Sequence, residues 1–194
     1  MYCGNNKTAL ASQRQIADAL LDLLAEQPYA EISVSAVCKR ARVSRQTFYS
    51  LFQSKENVMT FALRNDCCYS SPEEGARKAD FRQLCVNFSR YIIGHADALR
   101  LLERHGLMAL LRSVLREDLA HCPAFSRHLY PALAPYALDY VAAGIASIAE
   151  TYARAGGGED EDALADIICA LLRGKYIEYT EGQAEREAQP ACWS

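Results

Sequence analysis

The sequence predicts an all-α protein in which an N-terminal three-helix unit of helix-turn-helix type precedes a larger helical domain. Apolar residues recur three and four positions apart along most of the 194 residues, which is the spacing of amphipathic helices. No stretch alternates apolar and polar residues with enrichment in β-branched side chains, so a sheet is not expected. About half of the residues are apolar, which is enough to bury a core.

Four helices are predicted in the first third of the chain, over residues 8–27, 34–41, 45–52 and 54–68. Pro28 ends the first helix, and Ser33 and Ser44 are suited to cap the second and third. Arg42 and Val43 remain between two short helices as a tight turn. A long helix followed by two short ones across such a turn predicts a helix-turn-helix unit.

The rest of the chain also carries helical patterns, over residues 81–94, 96–105, 107–121, 136–155 and 162–179. Residues 70–75 combine Ser, Pro, Glu and Gly, and this break predicts a boundary between one domain at 8–65 and a second at 66–180. The polar segment 181–194 is expected to be a flexible tail.

Positive charge is concentrated in the first domain. Residues 1–65 hold eight Lys and Arg against five Asp and Glu, whereas the whole chain has a net charge of −3. Residues 32–55 hold five basic residues and no acidic one, which is the distribution expected of a surface that contacts phosphates. A solvated surface without a ligand would carry the same charges, so charge alone leaves both interpretations open.

The third predicted helix carries side chains suited to reading DNA, and it is short enough to enter the major groove. Arg45 can bond guanine or phosphate, Gln46 can bond adenine, and Thr47 can contact a base edge or a thymine methyl group. Tyr49 and Lys55 suit phosphate oxygens. Helix-turn-helix patterns also occur in helical proteins that never bind DNA, and spacing alone does not exclude that alternative.

Residues 32–58 resemble the N-terminal DNA-binding region of the TetR family of transcriptional regulators. The shared motifs are I-S-V, V-S-R-x-T-F-Y across the third helix, and F-x-S-K-E at the start of the fourth. With the first helix, the resemblance covers residues 8–63, about a third of the chain. It implies DNA contacts at the helix caps, on the third helix and at the start of the fourth, by Ser33, Ser44, Arg45, Gln46, Thr47, Tyr49, Ser50 and Lys55. Arg42, in the turn, is a further candidate DNA contact.

Two positions depart from the family pattern. Arg42 stands where the family usually has glycine, and if the turn needs a positive φ, a non-glycine residue costs on the order of 1 kcal/mol there. In return, the arginine adds a positive charge facing the phosphates. Leu51 stands where the family often places His or Tyr near the DNA backbone, so one phosphate contact is expected to be missing.

For the second domain, the resemblance implies dimerisation and the binding of a small molecule. Two helices carry apolar stripes suited to a four-helix interface about a two-fold axis, formed by Leu138, Val141, Ile145, Ile148, Tyr152, Leu164, Ile168 and Leu171. These stripes would equally suit the chain's own core. The candidate ligand pocket, which would also suit plain core, consists of Phe81, Phe88, Tyr91, Leu107, Met108, Leu111 and Phe125.

These features predict a ligand-responsive transcriptional regulator, acting as a repressor, that binds a two-fold-symmetric operator as a homodimer. Its partners would be double-stranded operator DNA, a second copy of the chain and an unidentified small-molecule inducer, with no metal or other cofactor. An adaptor that docks a protein partner through the second domain is the alternative within the same fold. An enzyme is not expected, because no nucleophile elbow, phosphate loop or metal motif is present.

The cysteines and the apolar runs bear on the cellular compartment. Eight cysteines scattered through helical patterns, with no secretory leader, indicate reduced thiols. No apolar run approaches 18 residues, so we expect a cytoplasmic protein with no membrane partner. The adjacent Cys67 and Cys68 would allow a redox switch, although a role as small hydrophobic residues is the simpler interpretation. The histidines and Cys122 between residues 121 and 128 lack the spacing of a metal site.

Overall fold

The structure is a computed structural model that describes residues 7–64, 81–122, 125 and 132–173. Every regular element in these ranges is helical, which confirms the predicted all-α class. The helices are α1 (Lys7–Glu26), α2 (Val34–Ala41), α3 (Arg45–Leu51), α4 (Lys55–Arg64), α5 (Phe81–Gly94), α6 (Ala96–Arg104), α7 (Met108–His121), α8 (Ala134–Ala155) and α9 (Glu161–Leu172), with a short 3-10 turn at Tyr29–Glu31.

The head, defined as residues 7–64, is built on the inner stripe of α1. Ile16, Leu20 and Leu24 lie three to four positions apart along α1, and all three are buried. Phe48 in α3 and Phe52 just after it are fully buried, with their ring centroids 6.2 Å apart. Burying each phenylalanine contributes roughly 1.5–3 kcal/mol. These two rings hold α3 against the head core and leave its other face outside.

The body, defined as the described residues from 81 to 173, is formed by α5 to α9. Within it, α8 packs against α6 and α7, and α5 packs against α9. At Gly144, α8 lies beside α9, since a Cβ atom at that position would be in ordinary van der Waals contact with the Leu172 side chain at 3.4 Å. The head meets the body where α4 packs on α7 and α1 packs on α6. At the second contact, Nε2 of His105 donates to the Leu24 carbonyl at 2.8 Å.

The observed helix ends agree with the sequence prediction to within two residues for α1 to α3 and for α5 to α8. The last helix was predicted to continue to residue 179, but it ends at Leu172, and Arg173 has non-helical dihedral angles. Within the described ranges, no helix combines the length and apolar character needed to cross a bilayer. Three predicted features lie outside the described residues, namely the boundary at 70–75, the adjacent Cys67 and Cys68, and the tail at 181–194.

Candidate nucleic-acid interface

The turn between α2 and α3 is closed by a residue in the left-handed conformation. Arg42 has φ 55° and ψ 39°, and it is the one non-glycine residue with positive φ in the described part of the chain. The Val43 N–H donates to the Cys38 carbonyl at 3.0 Å, and the Arg42 N–H donates to the Lys39 carbonyl at 3.3 Å. These bonds close the end of α2 as a Schellman motif does. The conformation costs a non-glycine residue roughly 1–2 kcal/mol, so the turn is strained at Arg42.

Both predicted serine caps are confirmed. The Ser33 hydroxyl oxygen accepts a hydrogen bond from the Ala36 N–H at 3.1 Å, and the Ser44 hydroxyl oxygen accepts one from the Thr47 N–H at 2.9 Å. The hydroxyl groups of Ser44 and Thr47 also bond each other at 2.8 Å. Each cap is worth about 1 kcal/mol, and together they fix where α2 and α3 begin.

The outer face of α3 is polar and exposed. Arg45, Gln46, Tyr49 and Ser50 are exposed, while Thr47 is half-buried. The ring of Tyr49 packs edge-on against Phe48 with centroids 5.4 Å apart. The Ser50 hydroxyl donates to the Thr47 carbonyl at 2.8 Å.

Leu51, which departs from the family pattern, is only 6% exposed. Its side chain belongs to the head core together with Phe48. An apolar side chain packed in this way supports α3 from behind and offers no hydrogen bond to a phosphate.

Two of the five basic side chains in residues 32–55 are bound within the head. Arg40 pairs with Glu26 at 2.7 Å and lies 3.9 Å from Asp22, both on α1. The Arg40 bond is the main cause that lowers the pKa of Glu26. The second bound cation is Lys55. The other three basic side chains of this segment are Lys39, Arg42 and Arg45. They are exposed and form no ion pair with another described residue.

Lys55 holds the loop between α1 and α2. Its Nζ donates to the Tyr29 carbonyl at 2.9 Å and to the Ile32 carbonyl at 2.6 Å, and it lies 4.3 Å from the centroid of the Tyr29 ring. An ammonium group has three N–H donors, so two are used inside the head while the cation also faces a ring. The structure therefore gives Lys55 an internal role in the head, and its phosphate contact stays a prediction.

The same loop is held a second time through the side chain of Tyr29. Its hydroxyl donates to Oε1 of Glu56 at 2.9 Å. Burial, followed by the bond to Glu56, raises the pKa of Tyr29 well above its usual range. A hydrogen bond from its own backbone N–H is the main cause that lowers the pKa of Glu56, and Ser54, Tyr29 and Lys55 lower it further against the effect of burial. The pair is therefore a neutral phenol bound to a carboxylate at neutral pH.

In the body, most of the predicted dimer stripe packs against the core of the single chain. Leu138 and Ile148 are partly buried, and Leu171 is exposed. The other five predicted interface residues are buried in the core of the single chain, namely Val141, Ile145, Tyr152, Leu164 and Ile168. A side chain already covered by its own chain offers little surface to a second copy.

Large apolar side chains are instead exposed on the other face of α8 and α9. Tyr136 and Tyr140 on α8 are 74% and 54% exposed, and Ile167 and Leu171 on α9 are 40% and 60% exposed. Of these four residues, sequence analysis assigned only Leu171 to an interface. The sequence gives one indication of this exposed face: the two residues on each helix are four positions apart, so they lie on the same side of that helix.

The predicted ligand pocket draws its residues from α5, α7 and the segment that follows α7. Phe88, Tyr91, Leu111 and Phe125 are buried, and they form part of the core. The other three are partly buried and pack against that core, namely Phe81, Leu107 and Met108. The hydroxyl of Tyr91 donates to the Leu63 carbonyl in α4 at 2.9 Å, a contact that sequence analysis missed. No group of three or more metal-ligating side chains occurs in the described part of the chain.

Residues 16–60 match the sequence model of the family described as bacterial regulatory proteins, tetR family. Over 62 residues the chain is 39% identical to DhaS, the HTH-type dhaKLM operon transcriptional activator of Lactococcus lactis subsp. lactis (strain IL1403). That match covers 32% of this chain and 33% of DhaS, so it spans about a third of the length of this curated relative.

Solved structures show the same fold over most of the chain. A structure of the dihydroxyacetone kinase operon activator DhaS matches with a TM-score of 0.55 and 22% identity, over 83% of this chain and 93% of that chain. Lin0861 from Listeria innocua matches with a TM-score of 0.74 and 16% identity, over 97% of each chain. FadR from Bacillus subtilis, in complex with stearoyl-CoA, matches with a TM-score of 0.51 and 19% identity, over 82% of this chain and 96% of that chain.

The fold, the geometry of the head and the family match lead to one assignment. The matched residues run from α1 into α4 and include the strained turn and both capped helices. The head of this chain, over residues 16–60, is therefore similar to the DNA-binding region of the tetR family of bacterial regulatory proteins.

Proposed function

We propose that the protein is a ligand-responsive repressor that binds a two-fold-symmetric operator as a homodimer. The observation that carries the proposal is the outer face of α3, where Arg45, Gln46 and Tyr49 are exposed beyond a closed, capped turn. With seven residues, α3 is roughly 10 Å long, and an α-helix about 10–12 Å in diameter fits a major groove about 12 Å wide.

The contacts divide into base reading and phosphate binding. Arg45 and Gln46 are exposed at the start of α3 and would read base edges. Thr47 uses its hydroxyl on Ser44, which leaves its methyl group for thymine. Phosphate contacts fall to exposed donors around the helix, namely Arg42 and Tyr49, and to Ser50 if its hydroxyl turns away from the Thr47 carbonyl. Ser33, Ser44 and Lys55 hold the helices that carry these groups.

Dimerisation is supported by the exposed apolar face of α8 and α9. Tyr136, Tyr140, Ile167 and Leu171 are exposed on two neighbouring helices, α8 and α9. Clustered apolar side chains of this size mark interaction surfaces, and a second copy of the chain would cover them about a two-fold axis. A pair of heads would then read two half-sites, which adds affinity and specificity.

A small apolar effector is the ligand we propose for the body. The candidate pocket is lined by aromatic and aliphatic side chains from α5 and α7. FadR of the same fold was solved in complex with stearoyl-CoA, so a small-molecule complex has precedent in this fold. Effector binding would change the relative populations of two head arrangements, only one of which matches the operator.

Activation of transcription is the second candidate function. It is favoured by the 39% identity over 62 residues to DhaS, which is named as a transcriptional activator. Deleting the gene separates the two candidates, because transcription of the controlled operon rises on loss of a repressor and falls on loss of an activator.

Footprinting on the DNA that flanks the gene tests operator binding. We expect a protected site with two-fold symmetry and an affinity that falls steeply with salt.

Arg45→Ala should weaken binding by about tenfold and relax preference at one base pair in each half-site. Arg112→Ala, which removes an exposed charge from α7, is the matched control and should bind as the wild type does. Equal binding to flanking and random DNA would overturn the proposal.

A further inference from the structure

The helices α5 and α9 pack against each other through facing stripes of side chains. Near the start of α5, Arg82 forms an ion pair with Asp166 of α9. Two turns later, the Ser89 hydroxyl donates to the Glu161 carbonyl at 2.7 Å. Cys85 comes three residues after Arg82 and four before Ser89, so it lies on the side of α5 that faces α9. The packing therefore places its thiol between the two helices.

A second thiol meets Cys85 from α9. Cys169 comes three residues after Asp166 and belongs to the buried side of α9. It is 7% exposed, whereas Cys85 is fully buried, and both cysteines are free. Their thiol groups lie within hydrogen-bonding distance of each other. A disulfide requires two side chains that point at each other across a short gap, and this pair meets that requirement.

The two thiols differ in acidity and in access to solvent. Burial, followed by the bond to Cys169, raises the pKa of the Cys85 thiol well above its usual range, against the effect of Arg82 and Arg173. Cys85 therefore keeps its proton at neutral pH. Cys169 is the member of the pair that solvent reaches, so a small oxidant would meet its sulfur first.

We propose that Cys85 and Cys169 form a dithiol site that hydrogen peroxide oxidises reversibly to a disulfide. In the first step, the Cys169 thiolate attacks one peroxide oxygen, the O–O bond breaks, and the leaving hydroxide takes a proton to become water. In the second step, the Cys85 sulfur attacks the resulting sulfenic sulfur, the S–S bond forms, and the hydroxyl leaves as water with the Cys85 proton. Both sulfurs are oxidised, one peroxide is reduced to two waters, and a dithiol reductant reverses the change.

The disulfide would join helices that serve two parts of the body. On α5 lie Phe88 and Tyr91 of the candidate pocket, and on α9 lie Ile167 and Leu171 of the exposed apolar face. Joining the two cysteines also closes a long loop in the unfolded chain, which stabilises the folded body. Peroxide is thus an input to the body distinct from the apolar effector proposed above. The site depends neither on operator binding nor on dimerisation.

Peptide mapping tests the site directly, because trypsin releases each cysteine of the pair on its own peptide. Cleavage after Lys and Arg gives peptide 83–90 with Cys85 and peptide 155–173 with Cys169. The folded, reduced protein is treated with hydrogen peroxide, the remaining thiols are alkylated, and the digest is examined by mass spectrometry. We expect the two peptides to appear joined, two hydrogens lighter than their sum, and to separate after treatment with dithiothreitol.

Oxidation in guanidinium provides the comparison with an unfolded chain. There Cys85 has seven possible partners among the other cysteines, and nearer ones are favoured by loop entropy. The share of cross-linked Cys85 that is joined to Cys169 should therefore fall at least about sevenfold. Absence of this link from the oxidised folded protein, or an equal share in both states, would overturn the proposal.

Thermal unfolding gives a second readout with a matched control variant. Oxidation should raise Tm by roughly 5–10 °C in the wild type and in Cys38→Ser, and should leave Tm unchanged in Cys85→Ser. Cys38 is also buried, but it lies in the head, where its thiol donates to the Ser44 carbonyl at 3.9 Å. The peptide map needs no variant, so it decides the question even if Cys85→Ser does not fold. A link that leaves Tm unchanged would refute the claim that oxidation restrains the body.

Discussion

Replacing Lys55 with methionine should destabilise the head without removing a phosphate contact. Methionine keeps much of the side-chain volume but loses two charge-assisted bonds to the carbonyls of Tyr29 and Ile32, each worth about 1.5 kcal/mol or more. It also loses a cation–π contact worth about 0.5–1 kcal/mol. Because the site is only partly buried, water replaces part of this, and we expect the free energy of unfolding to fall by about 2 kcal/mol.

Thermal unfolding and salt-dependent DNA binding measure the two effects separately. A loss of about 2 kcal/mol should lower Tm by roughly 4–8 °C in a chain of this length. Operator affinity should fall several-fold at every salt concentration, while the slope of log K against log salt stays at the wild-type value. Lys39→Met is the matched control, since it removes an exposed lysine from the same segment and should leave Tm unchanged.

The opposite pattern would refute this account of Lys55. A wild-type Tm, together with a salt slope reduced by about 1, is the signature of a lost phosphate contact. In that case the ammonium would leave both carbonyls when DNA binds.

Other consequences of the structure are equally open to measurement. Arg42→Gly should raise Tm by a few degrees. Glycine removes the roughly 1–2 kcal/mol of strain of the left-handed conformation, which exceeds the roughly 0.4–1 kcal/mol by which its greater flexibility stabilises the unfolded chain. Its salt slope should fall by about 1, and an unchanged slope would place Arg42 away from DNA. Leu171→Glu should yield monomers in sedimentation at micromolar concentration, whereas the exposed α7 control Ser113→Glu should stay dimeric. Folding lowers the pKa of Glu56, so its stabilisation is present above the ordinary value of 4.5 and is lost as pH falls through the folded pKa. In urea titrations Glu56→Gln should therefore be less stable than the wild type at pH 7, with the difference closing on acidification.

The local features of the head could be predicted from sequence because they depend on neighbours in the chain. Ser33 and Ser44 cap helices through bonds to residues three positions on, and that spacing is visible in the sequence. The inward position of Phe48 and Phe52 follows from helical periodicity in the same way. Arg42 was recognisable as a strained position only because a family pattern showed glycine there.

The features that sequence could not supply depend on distant parts of the chain. Lys55 meets carbonyls 23 and 26 residues away, and backbone carbonyls carry no sequence signal. On α8 and α9, apolar residues occur on two faces, so periodicity alone does not say which face the chain covers itself. Packing on α5 to α7 decides that Val141 and Ile145 are core while Tyr140 is exposed.

The contacts between head and body also limit how far the two parts can be separated. Leu63 is fully buried, and the His105 bond to Leu24 fastens α1 as the Tyr91 bond fastens α4. A head cut free after Arg64 would expose apolar surface and leave these backbone carbonyls without their partners. Head and body should accordingly melt in one cooperative transition. A chimera that borrows this head needs the matching surfaces of α5, α6 and α7 as well, so the exchangeable module is larger than the DNA-reading helices.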